Sequence, residues 1–142
     1  MALTDAERRN ASQEAAWATG TEDVDAAAAE LYGFENAYPG RDYEICIECP
    51  EFTAVCPMTG QPDFGTITIT YVPDQQCIEL KALKLYIQAF RSVGIFHEAV
   101  TNRILDDLVK AIAPRRCEVV GVYRPRGGIV TTVTAKYQRP DS

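Results

Sequence analysis

Along this chain of 142 residues, apolar side chains first recur at every second position, then at every third or fourth, and then at every second position again. Alternation over residues 43–49 and 66–72 predicts two strands that each bury one face. Alternation over 117–123 and 129–134 predicts two more, and the turn residues Pro125-Arg-Gly-Gly128 predict a tight connection between them. The segment between the two strand pairs has a helical period.

Two helices are predicted in that segment, beginning near Glu79 and near His97. Pro114 is expected to end the second one. The predicted buried stripes are Leu80, Leu83, Ile87 and Phe90 in the first helix and Val100, Ile104, Leu108 and Ile112 in the second. Residues 50–64 hold three prolines and a glycine, which predicts an ordered loop.

The element order ββααββ predicts an α+β fold with an antiparallel sheet and two helices on one face. We expect residues 1–40, which have few large apolar side chains, to form a loosely ordered N-terminal arm with a short helix near Ala26. Residues 41–142 are expected to form a single catalytic domain. Such a sheet has two open edges, and pairing with other subunits is a common way to protect them, so we expect a homo-oligomer.

Composition restricts the class of partner. The formal net charge is −6, which argues against a general nucleic-acid binder but leaves room for a local basic pocket. No apolar run approaches 18 residues, so no membrane span is expected. The N-terminus lacks a secretory pattern, so we expect a cytoplasmic location. The five cysteines are an odd number, and we expect free thiols.

Two of these cysteines form the pattern Cys46-Ile-Glu-Cys49, which is found in zinc and redox sites. Zinc needs four ligands, and the chain has a single histidine and no second such pair. On a strand, positions 46 and 49 point to opposite faces. We therefore expect two strand thiols and no metal.

Cys56 lies in the proline-rich loop, and Asp63 follows seven residues later. A thiolate can attack an electrophile while a nearby carboxyl group delivers or takes a proton. The residues alone also allow Cys56 to be a small buried hydrophobe. His97 and Glu98 suit substrate orientation, or simply a helix start with a carboxylate at its positive end.

Lys81 and Lys84 lie three residues apart on one helix. They suit either a solvated basic face or the phosphate groups of a cofactor. Arg126 and the backbone of Gly127 offer further donors of the same kind.

Several segments together resemble one family, the NADPH-dependent 7-cyano-7-deazaguanine reductases, which are the nitrile reductases of queuosine biosynthesis. The active-site loop of that family resembles Phe52-Thr-Ala-Val-Cys-Pro-Met-Thr-Gly-Gln-Pro-Asp-Phe64, and its cofactor signature resembles Glu79-Leu-Lys-Ala-Leu-Lys-Leu-Tyr86. Phe96-His-Glu98 and Pro125-Arg-Gly-Gly-Ile129 also fit, in the same order. The chain is similar to the short, single-module members.

The resemblance implies a tunnelling fold, in which sheets from several subunits close a barrel and the active sites lie between subunits. The short members are usually decamers of two stacked pentamers. Cys56 would attack the nitrile carbon to form a thioimide, Asp63 would supply protons, and two NADPH would deliver two hydrides. The implied roles of the other residues are substrate binding for Ile78, Glu79, Leu80, His97 and Glu98, catalysis for His97 as well, and cofactor binding for Lys81, Lys84, Arg126 and Gly127.

Three other functions are compatible with parts of the pattern. An archaeal relative uses the same Cys and Asp to transfer ammonia to a nitrile carried by tRNA, but it lacks the signature present here at 79–86. Hydrolysis of the GTP cyclohydrolase I type needs a zinc-binding Cys/His set, which one histidine makes unfavourable. A non-enzymatic purine-binding protein would have no need of Cys56, Asp63 and Glu98 together.

Overall fold

The computed structural model describes residues 18–140. Three helices and six strands lie in this range, together with one short 3-10 turn. Their bounds are α1 Glu22–Ala29, β1 Gly33–Glu35, β2 Ile45–Val55, β3 Pro62–Val72, β4 Gln76–Ile78, α2 Leu80–Ala89, the 3-10 turn Phe90–Ser92, α3 His97–Ile112, β5 Arg116–Arg126 and β6 Ile129–Gln138.

A four-stranded antiparallel sheet in the order β2-β3-β5-β6 forms the main layer. Ile67, Ile69 and Tyr71 alternate along β3 and are buried in the same apolar cluster as Leu83 of α2 and Ile104 of α3. The two helices therefore cover this face of the sheet. The predicted α+β class and the order ββααββ are confirmed.

The stripe predicted for α3 is confirmed, because all four of its members are buried. The stripe predicted for α2 is wrong at its first position. Leu80 is 60% exposed, whereas Tyr86 is fully buried. Leu80 is the first residue of α2, and it lines an open cavity of about 470 Å³ between β2 and α2 instead of the core.

The predicted loop over residues 50–64 is also wrong for most of its length. The strand β2 continues through Pro50 to Val55, and β3 already begins at Pro62. Because β2 is an edge strand, the missing N–H of Pro50 need not break a ladder hydrogen bond, and the pairing shifts register between Cys49 and Phe52. Only 56–61 are left to connect the two strands.

The connection between β5 and β6 is the tight turn that the sequence predicts. Gly127 and Gly128 have φ values of +57° and +81°, which glycine adopts without strain. Both strands extend further than predicted, to Arg126 and Gln138.

Residues 18–40 are attached more firmly than the loose arm that we expected. The helix α1 begins earlier than predicted and buries Val24 completely, and Leu31 is 6% exposed. The short strand β1 pairs with β4, and Arg103 of α3 forms an ion pair with Asp25 of α1 at 2.9 Å. A few apolar residues are enough to attach this segment, because neighbouring elements cover them. The rest of the predicted arm, residues 1–17, lies outside the described residues.

Within residues 18–140 no helix is both long enough and apolar enough to cross a bilayer.

Candidate active site

Cys56 is the first residue after β2, in the turn that leads into β3. Its N–H donates to the carbonyl oxygen of Gln61 at 2.9 Å, and the N–H of Gly60 donates to the Cys56 carbonyl oxygen at 2.8 Å. Gly60 has a φ of +71°, which closes this turn at low cost. The backbone of Cys56 is therefore held at both its donor and its acceptor, while the side chain is partly exposed.

The surroundings of Cys56 favour the thiolate. Burial raises the pKa of this thiol, but hydrogen bonds from the Thr59 hydroxyl and from the backbone N–H groups of Met58 and Thr59 outweigh it, so that the pKa is lowered. In the described chain, Cys49 and Cys117 lack such hydrogen bonds, so burial raises the pKa of Cys49 and raises that of Cys117 to about 12. Among these three thiols, Cys56 is therefore the one whose surroundings lower the pKa.

Asp63 is the second residue of β3, opposite Ala54 in the β2–β3 ladder, and it is 6% exposed. Its negative charge opposes ionisation of Cys56 and raises the pKa of that thiol, although by less than the hydrogen bonds lower it. The hairpin thus brings together the thiol and the acid that the sequence separates by seven residues.

Two side chains from other elements face the Asp63 carboxylate. Oδ1 lies 2.7 Å from Nε of Arg126 on β5. Oδ2 lies 3.5 Å from Nε2 of His97, the first residue of α3. The His97 Nε2 atom is buried and makes no hydrogen bond within the described residues. It is therefore available to a substrate or to a shifted Asp63.

Tyr123 sets the plane of the His97 ring, a role that sequence reasoning missed. The two rings stack in parallel, and the Tyr123 hydroxyl lies 2.7 Å from that of Thr101. The ring lies where two strands lack side chains: a Cβ on Gly121 would come within 2.4 Å of Tyr123 Oη, and one on Gly65 within 3.0 Å of its Cδ1. Two glycines within strands at neighbouring positions could have signalled this close packing.

Arg126 contacts this cluster with all three guanidinium nitrogens. Besides the Nε contact, Nη2 donates to the Pro62 carbonyl oxygen at 3.1 Å and Nη1 to the Thr59 hydroxyl at 3.4 Å. The resemblance led us to expect Arg126 at the cofactor. In the described chain its partners are Asp63 and the turn that carries Cys56.

The residues expected to bind substrate fall into two groups. Glu98 is exposed on the first turn of α3, next to His97. Ile78, Glu79 and Leu80 lie at the junction of β4 and α2, and no described hydrogen bond or ion pair joins them to Cys56. Within residues 18–140 the two groups therefore share no hydrogen bond or ion pair.

Within the second group, the Glu79 carboxylate caps α2. Its oxygens accept hydrogen bonds from the N–H groups of Lys81 at 2.9 Å and Ala82 at 2.7 Å. These bonds lower the pKa of Glu79. Ile78 is 2% exposed, and its N–H donates to the Tyr71 hydroxyl at 2.9 Å, so in the described chain this residue is part of the core.

The expected cofactor residues on α2 are accessible. Lys81 and Lys84 are both exposed, and neither ammonium group forms an ion pair with a carboxylate in residues 18–140. Lys84 and Arg91 line the cavity between β2 and α2. Gly127 is exposed in the β5–β6 turn. The positive charges of Lys81, Lys84 and Arg91 suit a phosphate group.

Among the described residues, no group of three or more His, Cys, Asp or Glu side chains is arranged to hold a metal ion. Cys46 is exposed and Cys49 is half-buried, and the two lie on opposite faces of β2, as the strand geometry predicts.

An antiparallel sheet with two helices on one face is the architecture of a tunnelling-fold protein, and its first hairpin brings a cysteine and a buried aspartate together. The fold agrees with the crystal structure of the archaeosine synthase QueF-Like in the apo form, which superposes with a TM-score of 0.62 at 19% identity and covers 66% of this chain and 91% of that one. Residues 62–142 match the family model described as QueF-like protein.

Curated relatives narrow the class. The NADPH-dependent 7-cyano-7-deazaguanine reductase of Anaeromyxobacter sp. (strain K) is 63% identical over 112 residues, which are 78% of this chain and 92% of the relative. The proteins of the same name from Chloroherpeton thalassium and Magnetococcus marinus are 60% and 53% identical, over 76% and 85% of this chain and 93% and 94% of their own lengths. This chain belongs to the family of NADPH-dependent 7-cyano-7-deazaguanine reductases.

Proposed function

We propose that this protein reduces the nitrile of 7-cyano-7-deazaguanine to the aminomethyl group of 7-aminomethyl-7-deazaguanine with two NADPH, as a step of queuosine biosynthesis. The observation that carries the proposal is the pairing of Cys56, whose pKa is lowered, with the buried carboxyl group of Asp63. The names of relatives up to 63% identical supply the substrate and the reductant.

In the first step the Cys56 sulfur attacks the nitrile carbon. A carbon–sulfur bond forms, one π bond of the nitrile breaks, and the nitrogen takes a proton. Asp63 accepts the thiol proton and passes it to that nitrogen, so the covalent thioimide forms without any external acid. His97, with Nε2 facing Asp63, orients the carboxylate and the new N–H group.

The nitrile carbon must then gain four electrons. NADPH supplies two of them as a hydride in each of two reductions. The chain itself has two tasks: Asp63 relays protons to the nitrogen, and Cys56 leaves as a thiolate once the first hydride has reached the carbon. The hydrogen bonds that stabilise the Cys56 thiolate also make it a good leaving group.

Substrate recognition is proposed for Glu98, whose exposed carboxylate can accept hydrogen bonds from the N–H donors of a guanine-like edge. Ile78, Glu79 and Leu80 would complete the pocket from a neighbouring subunit, since no hydrogen bond or ion pair within residues 18–140 joins them to Cys56. The open edges of β2 and β6 and the exposed side chain of Leu80 support subunit pairing. A decamer of two pentamers is the proposed assembly, with residues 41–142 as the catalytic domain.

Cofactor binding is proposed for Lys81, Lys84 and the backbone of Gly127. The two lysines fit phosphate because both are exposed and unpaired within residues 18–140. Arg126 was expected to join them, but its guanidinium group already contacts Asp63, Thr59 and Pro62. We assign Arg126 to a different role below.

The test separates adduct formation from reduction. The protein is mixed with 7-cyano-7-deazaguanine without NADPH, and its intact mass and absorbance are recorded; NADPH is then added and its oxidation followed. We expect a covalent adduct and consumption of about two NADPH per product, as four-electron chemistry requires. Cys56→Ala should form no adduct, while the matched variant Cys46→Ala, which removes an exposed thiol of β2, should form it normally.

Failure of the wild-type protein to form an adduct would exclude the proposal. An adduct that never oxidises NADPH would instead indicate ammonia transfer to the nitrile. That second chemistry is retained as an outcome because the fold agrees with an archaeosine synthase.

A further inference from the structure

Arg126 is the one residue in the described site that contacts both Asp63 and Thr59, the two side chains next to Cys56. Its Nε lies 2.7 Å from the Asp63 carboxylate, and its Nη1 donates at 3.4 Å to the hydroxyl of Thr59, in the same turn as Cys56. The third nitrogen, Nη2, binds the Pro62 carbonyl oxygen next to Asp63. A single guanidinium group therefore connects the Asp63 carboxylate, the Pro62 carbonyl oxygen and the Thr59 hydroxyl.

These contacts engage every nitrogen of the Arg126 guanidinium group, although the side chain is 38% exposed. A guanidinium group binds through a planar set of donors, and each nitrogen here has a protein acceptor. Turning the group toward a phosphate would leave Asp63 without its ion-pair partner, although this carboxylate is only 6% exposed. Loss of a partner from a buried charge is costly.

We propose that Arg126 is a positioning residue for the acid–thiol pair, fixing the Asp63 carboxylate and Thr59 around Cys56, and that it is not a ligand of the cofactor. The proposal rests on the proposed function for its catalytic consequence. The carboxylate that takes the Cys56 proton must be ionised and correctly aimed when the substrate arrives. Arg126 supplies the 2.7 Å contact from Nε that holds this carboxylate in place and aims it.

The proton balance of the first step shows where Arg126 acts. The proton leaves Cys56 for Asp63 and then moves to the nitrile nitrogen, so Asp63 begins and ends the step as a carboxylate. Arg126 keeps its own proton throughout and does not touch the substrate. Its removal should therefore slow formation of the adduct, a step that needs no NADPH.

The experiment compares Arg126→Ala, Arg126→Lys and the control Arg116→Ala, which removes the same charge from the opposite end of β5. We expect Arg126→Ala to slow adduct formation about 10- to 100-fold, the effect of a misplaced catalytic group. The KM for NADPH should stay within about twofold, since no phosphate contact is lost. Arg126→Lys keeps the charge without the planar donors, and should recover part of the rate.

A double-mutant cycle with Asp63→Asn provides a readout that a general loss of stability would not reproduce. Once Asp63 is replaced, Arg126→Ala should have little further effect on adduct formation. Guanidinium ion added at millimolar concentration should restore part of the rate to Arg126→Ala and none to the double variant.

Two results would overturn the proposal. One is a raised KM for NADPH with a normal rate of adduct formation, which would make Arg126 a cofactor ligand. The other is additivity of the two substitutions. If the wild-type protein forms no adduct, the proposed function fails by itself, and the same cycle is then decided on the rate at which iodoacetamide alkylates Cys56.

Discussion

The imidazole ring of His97 lies parallel to the phenol ring of Tyr123, with centroids 3.9 Å apart and planes within 2° of each other. Stacking fixes the ring plane, and this plane directs Nε2 toward Asp63 at 3.5 Å. The Tyr123 hydroxyl is held in turn by Thr101, whose own hydroxyl donates to the His97 carbonyl oxygen at 2.7 Å. The orientation of His97 thus depends on a buried aromatic residue two strands away from Cys56.

Gly121→Ala should therefore disturb both stability and catalysis. The new Cβ would lie 2.4 Å from Tyr123 Oη, so the ring must move. We expect urea unfolding to show a loss of about 1–3 kcal/mol, typical of overpacking, together with slower adduct formation. The control is Gly40→Ala, because a Cβ there meets nothing within 4 Å. Equal stability of the two variants would show that Tyr123 is not held as described.

Thr59→Val should make Cys56 less reactive near neutral pH. The hydroxyl stabilises the thiolate, so its loss should raise the pKa of Cys56 and reduce the thiolate fraction. The pH profile of Cys56 alkylation by iodoacetamide should move to higher pH, with a rate about tenfold lower at pH 7. Thr68→Val, at the centre of β3, is the matched control and should leave the profile in place. An unmoved profile in Thr59→Val would contradict the assignment.

Lys84→Ala should weaken NADPH binding and leave adduct formation intact. The lysine is exposed and has no ion-pair partner in residues 18–140, so its loss should change the free energy of unfolding little. Loss of one phosphate contact should raise the KM for NADPH about 5- to 10-fold. Lys110→Ala removes an exposed lysine from the last turn of α3 and should change neither quantity. Equal loss of adduct formation and cofactor binding in Lys84→Ala would indicate a structural lysine.

Acid should remove a stabilising contribution from Asp74. A hydrogen bond from Arg139 lowers the pKa of this carboxyl group, and Arg115 adds to the effect. Because the folded pKa lies below the unfolded one, the stabilisation is present above about pH 4 and is lost as the pH falls through the folded value.

Asp74→Asn should accordingly lower the free energy of unfolding at pH 7 by about 0.5–1 kcal/mol, the size of a solvent-screened ion pair. The difference from wild type should disappear toward pH 2. Urea titrations at pH 7, 4 and 2 measure it, with Asp106→Asn as the control, since Asp106 is exposed and forms no ion pair in the described chain. A difference that persists at pH 2 would refute the electrostatic origin.

The regular elements were predictable where burial follows a strict period. In α3, all four stripe residues are buried, and in β3 Ile67 and Ile69 alternate as expected. The sequence-based predictions were wrong where the type of a residue does not indicate its position in the fold. Tyr86 has a polar hydroxyl, yet its ring is fully buried, because the hydroxyl bonds Asp107 at 2.5 Å. Pro50 reads as a strand end but is tolerated at a sheet edge.

The candidate site divides in the same way. The motifs predicted that Cys56 and Asp63 lie close together, because both belong to one contiguous segment, and the β2–β3 hairpin places them so. They could not show that Tyr123 orients His97, since that contact joins β5 to α3 across 26 residues. Nor could they give the partner of Arg126, because a cation in a motif does not reveal which of several anions it faces.

The β2–β3 register carries an evolutionary consequence. Asp63 faces the site because it stands opposite Ala54, and side chains on a strand alternate between faces. A slip of one residue in this pairing would turn the carboxyl group to the other face of the sheet, away from His97. Insertions and deletions should therefore be tolerated in the turn over 56–61 only when they preserve that parity, which makes hairpin length itself a target of natural selection.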